Sequence, residues 1–397
     1  MRYGRFTMPT PKTPRRIRPA DRKRQLLDHA AALFAERGYA QVSVADIARA
    51  AGVTAPSVYR HFADKQSLLA AAVNAGVDDL ETCTGRALTE GDAPVDDLIS
   101  SVCALGVKRP ESTSLWRWGS QHLTDEQNRE VVLRTRAILH HWADVLADGT
   151  DLTEREAVTL AWAMISVAGS LSVHRTRMSL TRTLAEVDAL VRRLIALRPD
   201  SAPPLPALPP SGTGAPTRRD EILDAAATLF AERGYAGVGV DDIGAAVGIT
   251  GPSVYKHFSS KIAILIGIGQ RGATRLEAGV MTAYASTSDP AKLLALLIDS
   301  YVNVITSTPE LSVTFNSSDA LAGQPNASDL VDIQRRYVAR WVDLLMQTDP
   351  DLPRDRAAID VHAALSIVND AVRMRRGTSR PEFGAQMAYL MKGVLGV

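Results

Sequence analysis

The sequence of 397 residues predicts an all-α protein built from two similar units in tandem. Residues 22–69 align without a gap on 218–265, at a constant offset of 196, and more than half of the paired positions are identical. Self-similarity on this scale marks duplicated structural units. Within each copy the apolar residues recur at three- and four-residue spacings, the period of a helix. Aromatic residues make up only 5% of a chain rich in Ala, Leu and Arg, a mixture that favours helices over sheets.

The elements follow in chain order. Residues 1–21 read as a disordered basic arm. Arg2, Arg5, Lys12, Arg15, Arg16 and Arg18, followed by Arg22, Lys23 and Arg24, face only Asp21, in a chain whose net charge is +1. Such an arm suits a phosphate backbone or an anionic membrane surface, and is equally common as a solvated tail. Residues 22–69 form a first head. Leu26, Leu27, Ala30, Leu33 and Phe34 make the stripe of an amphipathic helix, which Gly38 ends. Ser43 and Asp46 have capping-box spacing for a short second helix, whose Val44, Ile47, Ala48 and Ala51 can face the first. Gly52 and Val53 break the chain. Thr54 then caps a third helix through Phe62, with Pro56 in its first turn. Val58 and Phe62 anchor this helix and turn Ser57, Arg60 and His61 outward. Two short helices joined in this way make a helix-turn-helix.

Residues 70–198 read as the first body and 199–217 as a linker. Seven prolines in the linker predict an extended, semi-stiff spacer. Residues 218–265 repeat the head, with LFAERGYA at both 33–40 and 229–236 and PSVY at both 56–59 and 252–255. Residues 266–397 are the second body. Its match to the first is weaker: Trp142 and Leu146 pair with Trp341 and Leu345 at an offset of 199, and Ile165-Ser166 with Leu365-Ser366 at 200. Whole units were duplicated, not only their heads.

Phe34 to Tyr39, Val44 to Ala48, Ala51 to Thr54, Tyr59 to Phe62 and Lys65 with Leu68-Leu69 resemble the DNA-binding head of TetR-family regulators. The second head repeats the pattern through Lys261. The tandem arrangement resembles double-unit repressors of that family in actinobacteria. The resemblance implies a three-helix head and a helical ligand-binding body per unit, and a four-helix pairing interface from the last two helices of each body. The candidates are 153–176 and 183–197, and 353–376 and 380–395. The two units of one chain are then expected to pair as an internal pseudo-dimer, with further homodimerisation left open.

Carried onto this chain, the resemblance places Tyr59, His61 and Lys65, and Tyr255, His257 and Lys261, on phosphates, while Ser43 offers a phosphate-reaching hydroxyl. Base edges fall to Thr54, Pro56, Ser57 and Arg60, and to Thr250, Pro252, Ser253 and Lys256. Hydroxyls serve several bases, Pro and Thr suit thymine methyls, and only Arg offers guanine a planar fork. A lone Tyr or His of this kind more often packs or sits at the surface; its recurrence in a duplicated motif favours DNA. The heads differ, since Ser43, Ala55 and Asp64 become Gly239, Gly251 and Ser260, and Arg218 and Arg219 give the second head only a shorter arm. A pseudo-palindromic operator with unequal half-sites is expected.

Each body should hold an apolar small-molecule pocket. Candidate lining residues are Trp116, Trp118, His122, Trp142 and Trp162, and Phe315, Tyr337, Trp341, His362 and Asn369; most such residues serve ordinary cores. The resemblance extends to a lipid-like effector. The expected partners are a double-stranded operator and a small molecule that releases it, with no cofactor, metal or membrane. The alternative is a sensor or scaffold using one head.

Other signals point elsewhere. Residues 267–272 match GxGxxG but fall in the helix following the second head, without the strand that dinucleotide binding requires. His140 and His141 diverge on a helix, and Asp96-Asp97, Glu154 and Glu156 suit helix starts. No nucleophile–base pattern argues for catalysis. Cys83 and Cys103 lack metal or disulfide spacing, and with no secretory or membrane segment the chain reads as cytoplasmic.

Overall fold

The computed structural model describes residues 19–89, 93–118, 122–172, 176–206, 216–374 and 378–397. Among these there is no strand. The first head comprises α1 (Pro19–Arg37), α2 (Val44–Ala50) and α3 (Ala55–Tyr59). Its body follows as α4 (Lys65–Thr89), α5 (Pro94–Lys108), α6 (Pro110–Trp118), α7 (Asp125–Gly149), α8 (Glu154–Ala168) and α9 (Leu180–Ile195). The second head is α10 (Arg218–Arg233), α11 (Val240–Ala246) and α12 (Gly251–Val254). Its body contains α13 (Lys261–Ser286), α14 (Pro290–Ser307), α15 (Glu310–Asn316), α16 (Ser318–Leu321), α17 (Ser328–Thr348), α18 (Arg354–Arg373) and α19 (Phe383–Leu395).

The head stripe packs as expected. Leu26, Ala30, Phe34, Ile47, Ala48, Val58 and Phe62 are all buried, and Gly38 and Gly234 take positive φ where α1 and α10 end. The Ser43 hydroxyl accepts from the Asp46 amide at 3.1 Å, and the Asp46 carboxylate accepts from the Ser43 amide at 3.0 Å. Together they satisfy donors that a bare helix start leaves open. The third helix is shorter than expected, ending at Tyr59. Thr54 occupies its N-cap position without a backbone bond from the side chain.

Three boundaries differ from expectation. Helix α1 begins at Pro19, because proline fits a helix start, so the basic arm cannot run to residue 21; residues 1–18 of the arm lie outside the described residues. The stretch expected as one helix over 153–176 stops at Ala168 and tightens into a 3-10 turn at Ser170–Ser172. The linker is docked at its start. Pro199–Ser201 form a 3-10 turn, the Asp200 carboxylate accepts from Gln386 Nε2 at 2.9 Å, and the Pro206 carbonyl accepts from Asn303 Nδ2 at 2.8 Å. Proline excludes a long helix, but a 3-10 turn tolerates it at its first position. Residues 207–215 of the linker lie outside the described residues.

The units pack on each other through α18 against α8 and α9, and α19 against α9. Arg356 pairs with the buried Glu186 across this contact, Arg193 Nη1 donates to the Val394 carbonyl at 2.8 Å, and Arg155 pairs with Glu382. One apolar cluster runs from Leu26 in the first head through both bodies to Leu395. The second head has its own cluster around Ile222, Phe230, Ile243 and Val254, joined to its body at Val313.

Candidate nucleic-acid interface and effector cavity

Each head presents a short helix whose inner side is pinned by one buried valine, Val58 or Val254. The outer side is polar. Tyr59 and Tyr255 are about half exposed, at 54% and 53%. Arg60, His61 and Lys256 are exposed and His257 is partly buried, while Pro56 and Pro252 lie exposed beside the partly buried Ser57 and Ser253. Thr54 Oγ1 lies 3.3 Å from Ser57 Oγ, and Thr250 Oγ1 lies 3.0 Å from Ser253 Oγ. Each head therefore carries an exposed hydroxyl pair at the start of its outer helix.

The expected phosphate contacts are more constrained than their sequence spacing implies. The Ser43 hydroxyl also donates to Asp46 Oδ2 at 2.5 Å, so it serves the cap of α2 first. Hydrogen bonds from Ser43 hold the Asp46 carboxyl below its ordinary range. In the second head Gly239 keeps only the reciprocal half, its amide donating to Asp242 Oδ2 at 2.7 Å. Lys65 Nζ sits 4.1 Å from the centre of the Tyr39 ring, and Lys261 Nζ 4.2 Å from that of Tyr235. Burial lowers both lysines from their ordinary values, and the ring faces hold the two ammonium groups beside the outer helices. Arg218 and Arg219 do not form an arm. They lie in the first turn of α10, donating to the Val247 and His257 carbonyls at 3.1 and 2.6 Å, with Arg219 also over the Phe258 ring.

Each head is tied to its body by ion pairs. Arg24 and Arg109 converge on Asp79 at 2.7 and 3.2 Å, joining α1 and α4 to the start of α6. Arg271 meets Asp224 at 2.7 Å and the buried Glu310 at 2.5 Å, joining α10, α13 and α15.

The second body holds a cavity of about 1410 Å³, partly open to solvent, between α13, α14, α15, α17 and α18. Phe315, Tyr337, His362 and Asn369 line it, as expected; Trp341 does not. Trp341 is fully buried, edge-on to Tyr301 at 5.7 Å. Trp142, its counterpart in the first unit, is likewise core, its Nε1 donating to Thr84 Oγ1 at 2.5 Å. Trp162 is partly buried and packs on the same core. The side chains of Trp116 and Trp118 lie outside the described residues. Tyr301, which sequence reading missed, donates its hydroxyl to Asn369 Oδ1 at 2.7 Å. Burial pushes Tyr301 and Tyr337 far above ordinary phenols, so both remain neutral donors. Gly269 admits the wall: a methyl there would lie 2.8 Å from Leu330 Cδ1 and 3.3 Å from Thr314 Cγ2. The glycines of the GxGxxG match thus serve close helix packing.

His122 has a different place from the one expected. Its ring stacks on Tyr39 at 4.6 Å, and Nε2 lies 3.2 Å from Asp319 Oδ2. Asp319 belongs to α16, whose Ser318 and Leu321 line the cavity and whose Ala320 and Leu321 pack on the second head. One short segment therefore touches the cavity and both heads.

The model for bacterial regulatory proteins of the tetR family matches residues 26–72 and 222–268. The transcriptional repressor KstR2 of Rhodococcus jostii is 32% identical over 186 residues, covering 47% of this chain and 91% of that protein. The chain belongs to the TetR family. It carries two TetR units in tandem, is all-α, and is a DNA-binding transcriptional regulator rather than an enzyme. The transcriptional activator FasR of Mycolicibacterium smegmatis is 27% identical over 164 residues, covering 41% of this chain and 74% of that protein. A solved structure of the ketosteroid transcriptional regulator KstR2 of Mycobacterium tuberculosis is 27% identical, covers 47% of this chain and 97% of that one, and has a TM-score of 0.41. Among the described residues no helix is long and apolar enough to cross a membrane, and no cluster of three or more His, Cys, Asp or Glu could hold a metal.

Proposed function

We propose that this TetR-family regulator is a repressor that acts as a built-in pseudo-dimer, one chain offering both heads to a pseudo-palindromic operator. The observation that carries the reading is the packing of α18 on α8 and α9, with Arg356 on Glu186. It supports pairing of the units within the chain. Half-sites related by a pairing axis lie about one helical turn of DNA apart, or a multiple of it. Tyr59, His61 and Lys65, with Tyr255, His257 and Lys261, hold phosphates and fix register. Thr54, Pro56, Ser57 and Arg60, with Thr250, Pro252, Ser253 and Lys256, read base edges; Ser43 acts by capping α2. The domain division is two heads, 22–69 and 218–265, each followed by its body.

The effector occupies the cavity of the second body. Leu311, Phe315 and Leu330 make its wall apolar, and neutral Tyr301, Tyr337 and Asn369 suit a ligand with a neutral oxygen. An apolar, lipid-like molecule fits this lining. Ligand in the cavity displaces α16, and with it Asp319 and the seat of both heads, so that their spacing no longer matches the half-sites.

Footprinting on selected genomic fragments tests the reading. Arg60→Ala should lose protection over one half-site and Lys256→Ala over the other. If Lys256→Ala leaves the footprint intact, only the first head works, and the chain is a one-headed sensor.

A further inference from the structure

The second head differs from the first at two positions that touch each other. Ala45 and Ala55 of the first head become Asp241 and Gly251. Asp241 is exposed in the first turn of α11, and Gly251 opens α12, the outer helix. A methyl on Gly251 would overlap the Asp241 carboxylate, lying 2.9 Å from its Cγ yet 3.4 Å from its Cα, an ordinary contact. The backbones therefore have room for alanine; the carboxylate fills it. Gly251 is the change that lets Asp241 lie flat against the first residue of the outer helix, next to the exposed Thr250 and Ser253 hydroxyl pair.

A carboxylate here is out of keeping with a phosphate surface. Asp242 follows it, and the cation that the first head keeps on this helix, Arg49, is Ala245 in the second. Arg49 pairs with Asp46 at 2.9 Å, whereas Asp242 meets Arg233 at the longer distance of 3.9 Å. An acidic side chain facing duplex DNA is repelled by phosphates and by the acceptor edge of guanine. It is accepted where the major groove presents an amino donor, above all cytosine N4. Alanine at the same place offers a methyl-sized apolar contact that suits the thymine methyl.

We propose that Asp241, seated on Gly251, is a specificity-determining residue that makes the second half-site carry cytosine where the first half-site, under Ala45, carries thymine. This rests on the reading that both heads engage DNA. Asp241 acts alongside Lys256, so the second head has weaker electrostatic hold on the backbone and sharper selection at one base.

The test is selection from a randomised duplex library by the full chain, followed by sequencing of bound DNA. Wild-type protein should recover two half-sites that carry cytosine in one and thymine in the other at the position under Asp241 and Ala45. Asp241→Ala should lower the cytosine preference about tenfold and leave the other positions unchanged. The double change Ala45→Asp with Ala55→Gly should move a cytosine preference into the first half-site. Circular dichroism melting checks that each variant folds. Unchanged base preferences in folded Asp241→Ala, alone or with a lowered melting temperature, would reduce Asp241 to a helix-start residue and overturn the proposal. Failure of wild-type protein to select any sequence overturns the two-headed reading itself, and this inference with it.

Discussion

Asp360 shows how far one residue's setting can control the pairing of the units. It lies buried on α18 beside Glu186 of α9, with Arg193 and Arg356 as the nearby cations. Burial, and then the charge of Glu186, push its carboxyl up to about 7. Asp360 Oδ1 and Glu186 Oε1 are both buried without a hydrogen bond, Glu186 Oε1 having only the Arg193 guanidinium at 3.9 Å, an arrangement satisfied when Asp360 holds a proton and donates it to Glu186. The folded chain then keeps a proton that the unfolded chain releases near the ordinary carboxylate value. Stability from this group is present at low pH and falls as pH rises toward 7. Asp360→Asn removes the titration. Its melting temperature should match wild type near pH 3.5 and exceed it near pH 8, by an amount equivalent to about 2 kcal/mol. Equal melting curves at both values would show that the two acids do not share a proton. None of this was legible in the sequence, because Asp360 and Glu186 are brought together only by the packing of two distant helices. The head residues were legible, since Thr54, Ser57, Arg60 and their counterparts lie within one turn of a buried anchor. Spacing alone then separates inward from outward. Sequence reading erred where a side chain had a second local partner, as with Arg218 and Arg219 on backbone carbonyls.

Among the elements, α16 is the one whose role is least evident from its own sequence. Four residues of unremarkable composition would pass for a loop between two helices. Its position matters because Asp319 reaches His122 while Leu321 lies between the cavity and the second head. A methyl on Gly38 would sit 2.8 Å from Asp319 Oδ1, so the first head's α1–α2 turn rests directly on this carboxylate. Asp319→Ala should therefore loosen that turn without unfolding the head, whose core is unaffected. A partly exposed pair of this kind contributes up to about 1 kcal/mol. Amide exchange at residues 38–40 should accordingly quicken by about two- to fivefold, with α1 itself unchanged. Unaltered exchange at Gly38 and Tyr39 would remove α16 from the route between cavity and first head. The long helices were legible by contrast, because periodic apolar faces and caps such as Thr153 with Glu156 are written locally. The individual contacts of the cavity wall and between the units were not, because glycines such as Gly269 signal close approach without naming the partner.

Across the whole molecule, duplication within one chain has an energetic consequence that two identical subunits cannot share. A homodimer must use the same residues on both sides of its axis, so an advantageous asymmetric pair such as Arg356 with Glu186 would have to occur twice. A tandem chain is free to diverge, and it has done so at the pairing surface, at the heads and in the cavity. The linker keeps the units at high effective concentration, yet the pairing surface itself is extensive. The continuous apolar cluster crosses from one body to the other, and Leu197 of the first unit packs against Gly393 of the second. An interface with a continuous apolar core resembles an obligate one and should hold without a covalent link. A protease site inserted within 207–215 and then cut should leave two fragments that elute together as one particle of 42.7 kDa plus the insert. That particle should bind the operator with an affinity within about threefold of the intact chain. Fragments that separate on a sizing column at micromolar concentration would show that the linker, and not the packed faces of α8, α9, α18 and α19, keeps the two heads in register.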